Sequence, residues 1–146
     1  MPKASINGID LYYESHGDDS APVIIFSHGR GGNHLSWWQQ VAVFSGEYRC
    51  ITFDHRGWGD SIAEQGTPLR ENFIQDLTDL LDHLKIDKVF LVAQSMGGFA
   101  CLGFALAHPE RTLGLVLGDT TGGVATEGTL AELDKATPPP DGPARS

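Results

Sequence analysis

Positive charge is scarce in this chain. Ten lysines and arginines stand against nineteen aspartates and glutamates, a formal net charge of −9. Such a balance repels phosphate backbones and anionic lipid surfaces, so neither nucleic acid nor a membrane is an expected partner. Cysteine is scarcer still, with only Cys50 and Cys101. Each lies in an apolar run, which reads as two buried free thiols in a reducing cytoplasm rather than as a disulfide. No Cys/His spacing suits a metal, and no cofactor is expected. The start, MPKASINGID, has no apolar core of a leader, and no stretch approaches the length of a membrane span. There is no internal repeat. At 146 residues the chain is long enough for one modest domain.

What is present is organised around Lys88 to Ala107, KVFLVAQSMGGFACLGFALA. Val89, Phe90, Leu91, Val92 and Ala93 form a run rich in β-branched and aromatic residues, the pattern of a strand buried on both faces. A second apolar stretch, long enough for a helix, follows Gly97 and Gly98. Ser95 therefore sits where a buried strand turns sharply into a helix. Small residues two positions away on either side, Ala93 and Gly97, are what the crowding of such a turn demands. This is the spacing of a nucleophile elbow, with alanine in place of the first glycine. A hydroxyl held there projects at the carboxyl end of the strand, beside a helix amino terminus that stabilises negative charge. The alternative is an ordinary helix N-cap.

The rest of the chain supplies more strand ends of this kind. Ile6 to Ser15 reads as a hairpin about Asn7-Gly8. Val23–Phe26 is a buried run that leads into Ser27-His28-Gly29-Arg30-Gly31-Gly32. That glycine-rich loop lacks the Gly-Lys-Ser/Thr ending of a phosphate-binding loop. Leu35 to Phe44 has helical spacing through Trp38, Val41 and Ala42. Cys50–Phe53 is a third buried run and ends in Asp54-His55-Arg56-Gly57-Trp58-Gly59-Asp60-Ser61. Thr67-Pro68 opens a helix whose apolar stripe is Phe73, Leu77, Leu80, Leu81 and Leu84. Asp76, Asp79 and Asp82 fall off that stripe and read as a solvated face. His108-Pro109 ends the helix after Ser95, and Leu113 to Leu117 is one more buried strand, closing at Gly118-Asp119-Thr120-Thr121. Strand and helix alternate, which implies an α/β fold: a mostly parallel sheet with helices on both faces. Ligands of such sheets bind at the carboxyl ends of strands. The division expected is a core over 1–121 and, from Gly122 to 146, a flexible, proline-rich tail.

Three motifs in this order, SHGRGG at 27–32, FDHRGWGDS at 53–61 and VAQSMGG at 92–98, resemble the amino-terminal half of an α/β-hydrolase. The esterase, enol-lactonase and cofactor-free haloperoxidase branch is the most similar, and the likeness runs from about residue 5 to 135. By that resemblance Ser95 is the catalytic nucleophile, attacking a small acyl substrate. The backbone N–H groups of Met96 and Arg30 form the oxyanion hole, His28 and Gly29 belong to the oxyanion loop, and residues 122–146 begin the cap. Asp54, Arg56, Gly57 and Gly59 would fix the neighbouring loop. Relatives that transfer alkyl groups, dehalogenases and epoxide hydrolases, carry aspartate at the elbow. Serine there implies acyl transfer.

The family's order is serine, then acid, then histidine. Here no histidine follows His108, and none of the six matches the family position; His28 and His34 are the weak candidates for a base. Asp119, at a strand's carboxyl end, is a candidate acid, with capping of the next turn as its alternative. A truncated or split hydrolase fits this best, complete only in a longer parent; a half-fold needing a partner chain competes. Two further functions stay open: a non-catalytic ligand binder on the same scaffold, and an assembly module. With its downstream neighbour absent, the 113–117 strand would be an apolar edge, a template for self-association or for a complementing chain.

Overall fold

Asn7 and Gly8 both take positive φ, 42° and 77°, in the computed structural model, the conformation that a tight hairpin turn requires. The structure describes residues 3–64 and 70–123. The turn joins β1 (Lys3–Ile6) to β2 (Ile9–His16). There follow β3 (Val23–Ser27), α1 (Trp38–Phe44), β4 (Arg49–Phe53), α2 (Phe73–His83), β5 (Val89–Gln94), α3 (Gly97–Ala107) and β6 (Thr112–Gly118). One six-stranded sheet runs in the order β1-β2-β4-β3-β5-β6. The β1–β2 pairing is antiparallel, as its hairpin dictates, β2 also pairs antiparallel with β4, and the remaining three pairings, among β4, β3, β5 and β6, are parallel with helices in the connections. The expected α/β architecture is the observed one.

Strand alternation divides the core in two. Ile25, Ile51, Phe53, Leu91 and Ala93 point to the face covered by α2 and α3, against Phe73, Leu77, Leu80 and Phe104. Ile24, Phe26 and Cys50 point to the other face, with Trp37 and Val41 above them. Both cysteines are buried and unbonded to each other. Burial pushes the Cys101 thiol up to about 12 and raises that of Cys50, so both behave as small apolar side chains. Among the described residues no helix is long and apolar enough to cross a membrane.

Four readings of the sequence are corrected. A 3-10 turn over His34–Trp37, capped by Asn33, precedes α1 and shifts its facing residue. Trp37 packs on Phe26 at 5.3 Å between ring centroids, while Trp38 is 66% exposed. Asp76 belongs to no solvated face: it is 1% exposed and salt-bridged to Arg56. The strand after Ser95's helix is not buried, for Leu113, Val116 and Leu117 of β6 are 47%, 59% and 38% exposed. Nor is β5 buried on both faces, since Phe90 and Val92 are only half covered. The helix start expected at Thr67-Pro68, and most of the tail expected from Gly122, lie outside the described residues.

Candidate active site

The turn is sharp because only Ser95 and Met96 separate β5 from α3. Ser95 takes φ 50°, a left-handed conformation that costs a non-glycine residue energy. Its N–H donates to Gly118 O at 3.0 Å, tying the turn to the end of β6, and its C=O accepts from Gly98 N–H at 3.0 Å. The small neighbours are necessary. Ala93 is buried, and a Cβ on Gly97 would collide with the Ser27 backbone. A Cβ built on Gly29 would lie 3.3 Å from Ser95 Cβ, so the glycine loop after β3 presses directly against the elbow.

Above the elbow opens a cavity of about 470 Å³ lined by Arg30, Ser95, Met96, Phe99, Asp119 and Thr120. Residues from three strand ends thus share one wall, as the sequence suggested. Among the described residues, the backbone N–H groups of Arg30 and Met96 have no hydrogen-bond partner. Met96 is the N-cap of α3, where orphan donors are inherent to a helix start. Asp119 takes φ 49° at the carboxyl end of β6 and is exposed at the cavity. It does not cap the following turn; Thr120 Oγ1 does, accepting from Gly122 N–H at 3.0 Å.

All six histidines lie among the described residues, and none lines this cavity. His28 is buried with both ring nitrogens engaged: Nε2 accepts from His55 N–H at 3.0 Å, which leaves Nδ1 to donate to Gly29 O at 2.8 Å. It props the loop that follows β3 and has no free lone pair to take a proton. His34 is held by the buried Asp54, Nδ1 to Oδ1 at 2.9 Å, with Glu14 3.8 Å from its other nitrogen. With Asp60, His34 and Asp54 could gather about a cation, but Asp54 already accepts from the His34 and Asp60 backbone N–H groups. His34 lines a different hollow, together with Glu14 and His16.

A second serine–histidine pair escaped the sequence reading and imitates a catalytic one. Ser27 Oγ and His55 Nε2 are 2.8 Å apart. Ser27 donates to Gly97 O at 3.2 Å, so it accepts from His55 and cannot be activated by it. Both are fully buried beneath the elbow. Burial, then the neighbouring His28, holds His55 well below its ordinary value, and burial lowers His28 too. These two imidazoles stay neutral in the fold, whereas an unfolded chain protonates them near pH 6.5. The unfolded state therefore binds more protons as pH falls below about 6.5, and stability drops in that window. A urea midpoint lower at pH 5.5 than at 7.5 is expected, with the difference reduced in His55→Asn; equal slopes in both proteins would contradict it.

The loop after β4 carries the scaffold. Arg56 reaches Asp76 of α2 with Nε at 2.9 Å and a terminal nitrogen at 2.6 Å, and that nitrogen also donates to Asn7 O at 2.7 Å. Asn7 Nδ2 completes the network on Asp76 at 2.8 Å. One buried fork thus joins the β1–β2 turn, the loop and α2. Asp54, Arg56 and Asp76 organise this side of the sheet without lining the cavity.

Comparison with known proteins agrees with the fold. The sequence profile of the alpha/beta hydrolase fold matches residues 22–139. A 3-oxoadipate enol-lactonase of Acinetobacter baylyi is 33% identical over 120 residues, covering 82% of this chain and 45% of the lactonase. Epoxide hydrolase 4 of Mus musculus is 30% identical over 76% of this chain and 32% of its own length. Among solved structures, the enol-lactonase from Burkholderia xenovorans LB400 superposes with a TM-score of 0.79 at 31% identity, over 92% of this chain and 58% of that one. The chain spans less than half the length of the two curated relatives. With its elbow, its strand order and a profile matched over most of its length, the chain belongs to the alpha/beta hydrolase fold family.

Proposed function

We propose that this chain carries the nucleophile and oxyanion hole of a serine hydrolase acting on carboxylic esters, lactones or similar small acyl compounds. The observation that carries the reading is Ser95 at φ 50° in the elbow, facing a cavity it shares with Arg30 and Met96. Ser95 Oγ attacks the acyl carbon, and its proton passes to a base. The carbonyl oxygen becomes an oxyanion and accepts from the Met96 and Arg30 N–H groups. Each such donor contributes roughly 3–4 kcal/mol to the barrier reduction. Collapse expels the alkoxide, which takes the proton back from the base, and water hydrolyses the acyl-enzyme by the reverse sequence.

The enol-lactonase likeness supports an acyl substrate. Serine at the attacking position distinguishes this site from the alkyl-transferring relatives with aspartate there. Asp119, which lines the same cavity as Ser95, is the candidate to orient a base. The base itself is supplied from outside these 146 residues, a reading supported by the absence of any histidine from the lining of the cavity that Ser95 faces. The catalyst is thus complete only in a longer parent or a complemented complex. The net charge of −9 argues against nucleic acid or an anionic membrane surface as a partner.

A fluorophosphonate probe tests this, with free imidazole as a stand-in base. Labelling of Ser95 is expected to accelerate as imidazole is added and to vanish in Ser95→Ala. Labelling that ignores imidazole, or that survives Ser95→Ala, would end the reading.

A further inference from the structure

Ser27 and His55 make no nucleophile, yet the hydrogen bonds that begin at His55 lead to both backbone donors of the elbow cavity. One path uses its side chain. His55 Nε2–H donates to Ser27 Oγ at 2.8 Å, and the Ser27 hydroxyl donates to Gly97 O at 3.2 Å. That carbonyl shares its peptide unit with the N–H of Gly98, which donates to Ser95 O at 3.0 Å. The Ser95 carbonyl in turn shares its peptide unit with the N–H of Met96. The second path uses the His55 backbone. Its N–H donates to His28 Nε2 at 3.0 Å, and His28 Nδ1–H donates to Gly29 O at 2.8 Å. The Gly29 carbonyl also accepts from Gly32 N–H at 3.0 Å, and it shares its peptide unit with the N–H of Arg30.

We propose that His55 and Ser27 are positioning residues for the oxyanion hole, acting on the Met96 N–H through the first turn of α3. This rests on the reading of the Met96 and Arg30 N–H groups as the oxyanion donors. A peptide unit is planar, so holding its carbonyl also aims the N–H on its other side. Ser27 holds the Gly97–Gly98 plane, and Gly98 holds the Ser95–Met96 plane. His28 holds the Gly29–Arg30 plane in the same way. The two donors come from loops after different strands, β3 and β5, and one residue ties their orientations together.

The surroundings suit this task. Ser27, His28 and His55 are all buried, so water does not compete for the links. The His55 ring is wedged between Phe53 and Phe73, with centroids at 4.8 and 4.6 Å, and lies 4.7 Å from the ring of His28. The Cys101 thiol, which burial keeps protonated, is a further hydrogen-bond partner of the Ser27 hydroxyl. Burial also keeps both imidazoles neutral, so the direction of each donation holds on mild acidification. In such a low-dielectric interior an amide that accepts at its oxygen becomes a stronger donor at its nitrogen, and successive bonds polarise one another. Donors held and polarised in advance need no reorganisation when the oxyanion forms.

Backbone amide shifts and phosphonylation of Ser95 test the proposal separately. In Ser27→Ala and in His55→Met, the Met96 and Gly98 amide protons are expected to move upfield. The Arg30 amide should stay, because the His55 backbone N–H is untouched. Labelling of Ser95 by a fluorophosphonate, with imidazole present, should slow roughly tenfold in both variants, less than the 10²–10³ lost with a whole oxyanion donor. His55→Gln carries an amide N–H at the position of Nε2 and should restore both the shifts and the rate. A side chain that only fills the core would not separate Gln from Met in this way. An unmoved Met96 amide in Ser27→Ala, labelling unchanged in Ser27→Ala or His55→Met, or His55→Gln no faster than His55→Met would each overturn the proposal. Labelling of the unaltered chain that ignores imidazole strikes the hydrolase reading instead, and the amide shifts then decide the two paths by themselves.

Discussion

Purified alone, this chain is expected to hydrolyse p-nitrophenyl acetate about 10⁶-fold more slowly than a complete serine–histidine–acid enzyme. The expectation rests on the position of six imidazoles. His28 has both nitrogens committed, to His55 N–H and Gly29 O, His34 is clamped by Asp54, and His55 is buried donating to Ser27. His16 pairs with Glu14, and His83 and His108 sit at the ends of α2 and α3. None lines the cavity that Ser95 faces, and a hydroxyl without a base is a weak nucleophile at neutral pH. What survives is binding and the two backbone donors. Steady-state turnover within about tenfold of an ordinary esterase would contradict this, given typical turnover numbers of 1–10³ per second. His34→Ala and His28→Ala would then identify the base. Loss of residual activity in Ser95→Ala is expected in either case.

The second large effect concerns stability. Asp76→Ala is expected to destabilise the fold by about 3–5 kcal/mol, because the Arg56 guanidinium stays buried without its counter-charge. Arg56 is 3% exposed, and its pKa is raised chiefly by the hydrogen bonds to Asp76, so it cannot escape by losing its proton. Against a total stability of about 5–15 kcal/mol, that loss leaves little margin. A urea unfolding curve measures it, and a loss below about 1 kcal/mol would mean that water reaches Arg56 in the variant. Replacing both partners by leucine should cost less than Asp76→Ala alone, since a buried apolar pair leaves no orphaned charge.

Much of the candidate site's local geometry could be read from the chain because its rules are local. Asn7-Gly8 predicted a turn through the backbone freedom of two residues, and both took positive φ. Ala93, Ser95 and Gly97 predicted the elbow through crowding over five residues. Every strand that ends in a glycine-rich loop delivered that loop to one edge of the sheet, where Arg30, Ser95, Met96 and Asp119 now share a cavity. The apolar run of β5 announced a strand, and the stripe from Phe73 to Leu81 announced a helix, through periods of two and of 3.6 residues.

The tertiary structure decided what depends on distant partners. Helical periodicity placed Asp76 outside the apolar stripe of α2, and a charge there reads as solvated. Arg56, twenty residues earlier, meets it inside the protein. No pattern along α2 records that encounter. The same holds for Trp37 and Trp38: two adjacent indoles are equivalent in sequence, and a short 3-10 turn determined which one faces Phe26. Hydrogen-bond direction separated Ser27 and His55, a close but inert pair, from Ser95, a strained serine facing a cavity. Apolar composition likewise marked Leu113 to Leu117 as a strand. Only its position at the rim of the sheet left Val116 and Leu117 exposed, since burial is conferred by neighbours in space and not by the residues themselves.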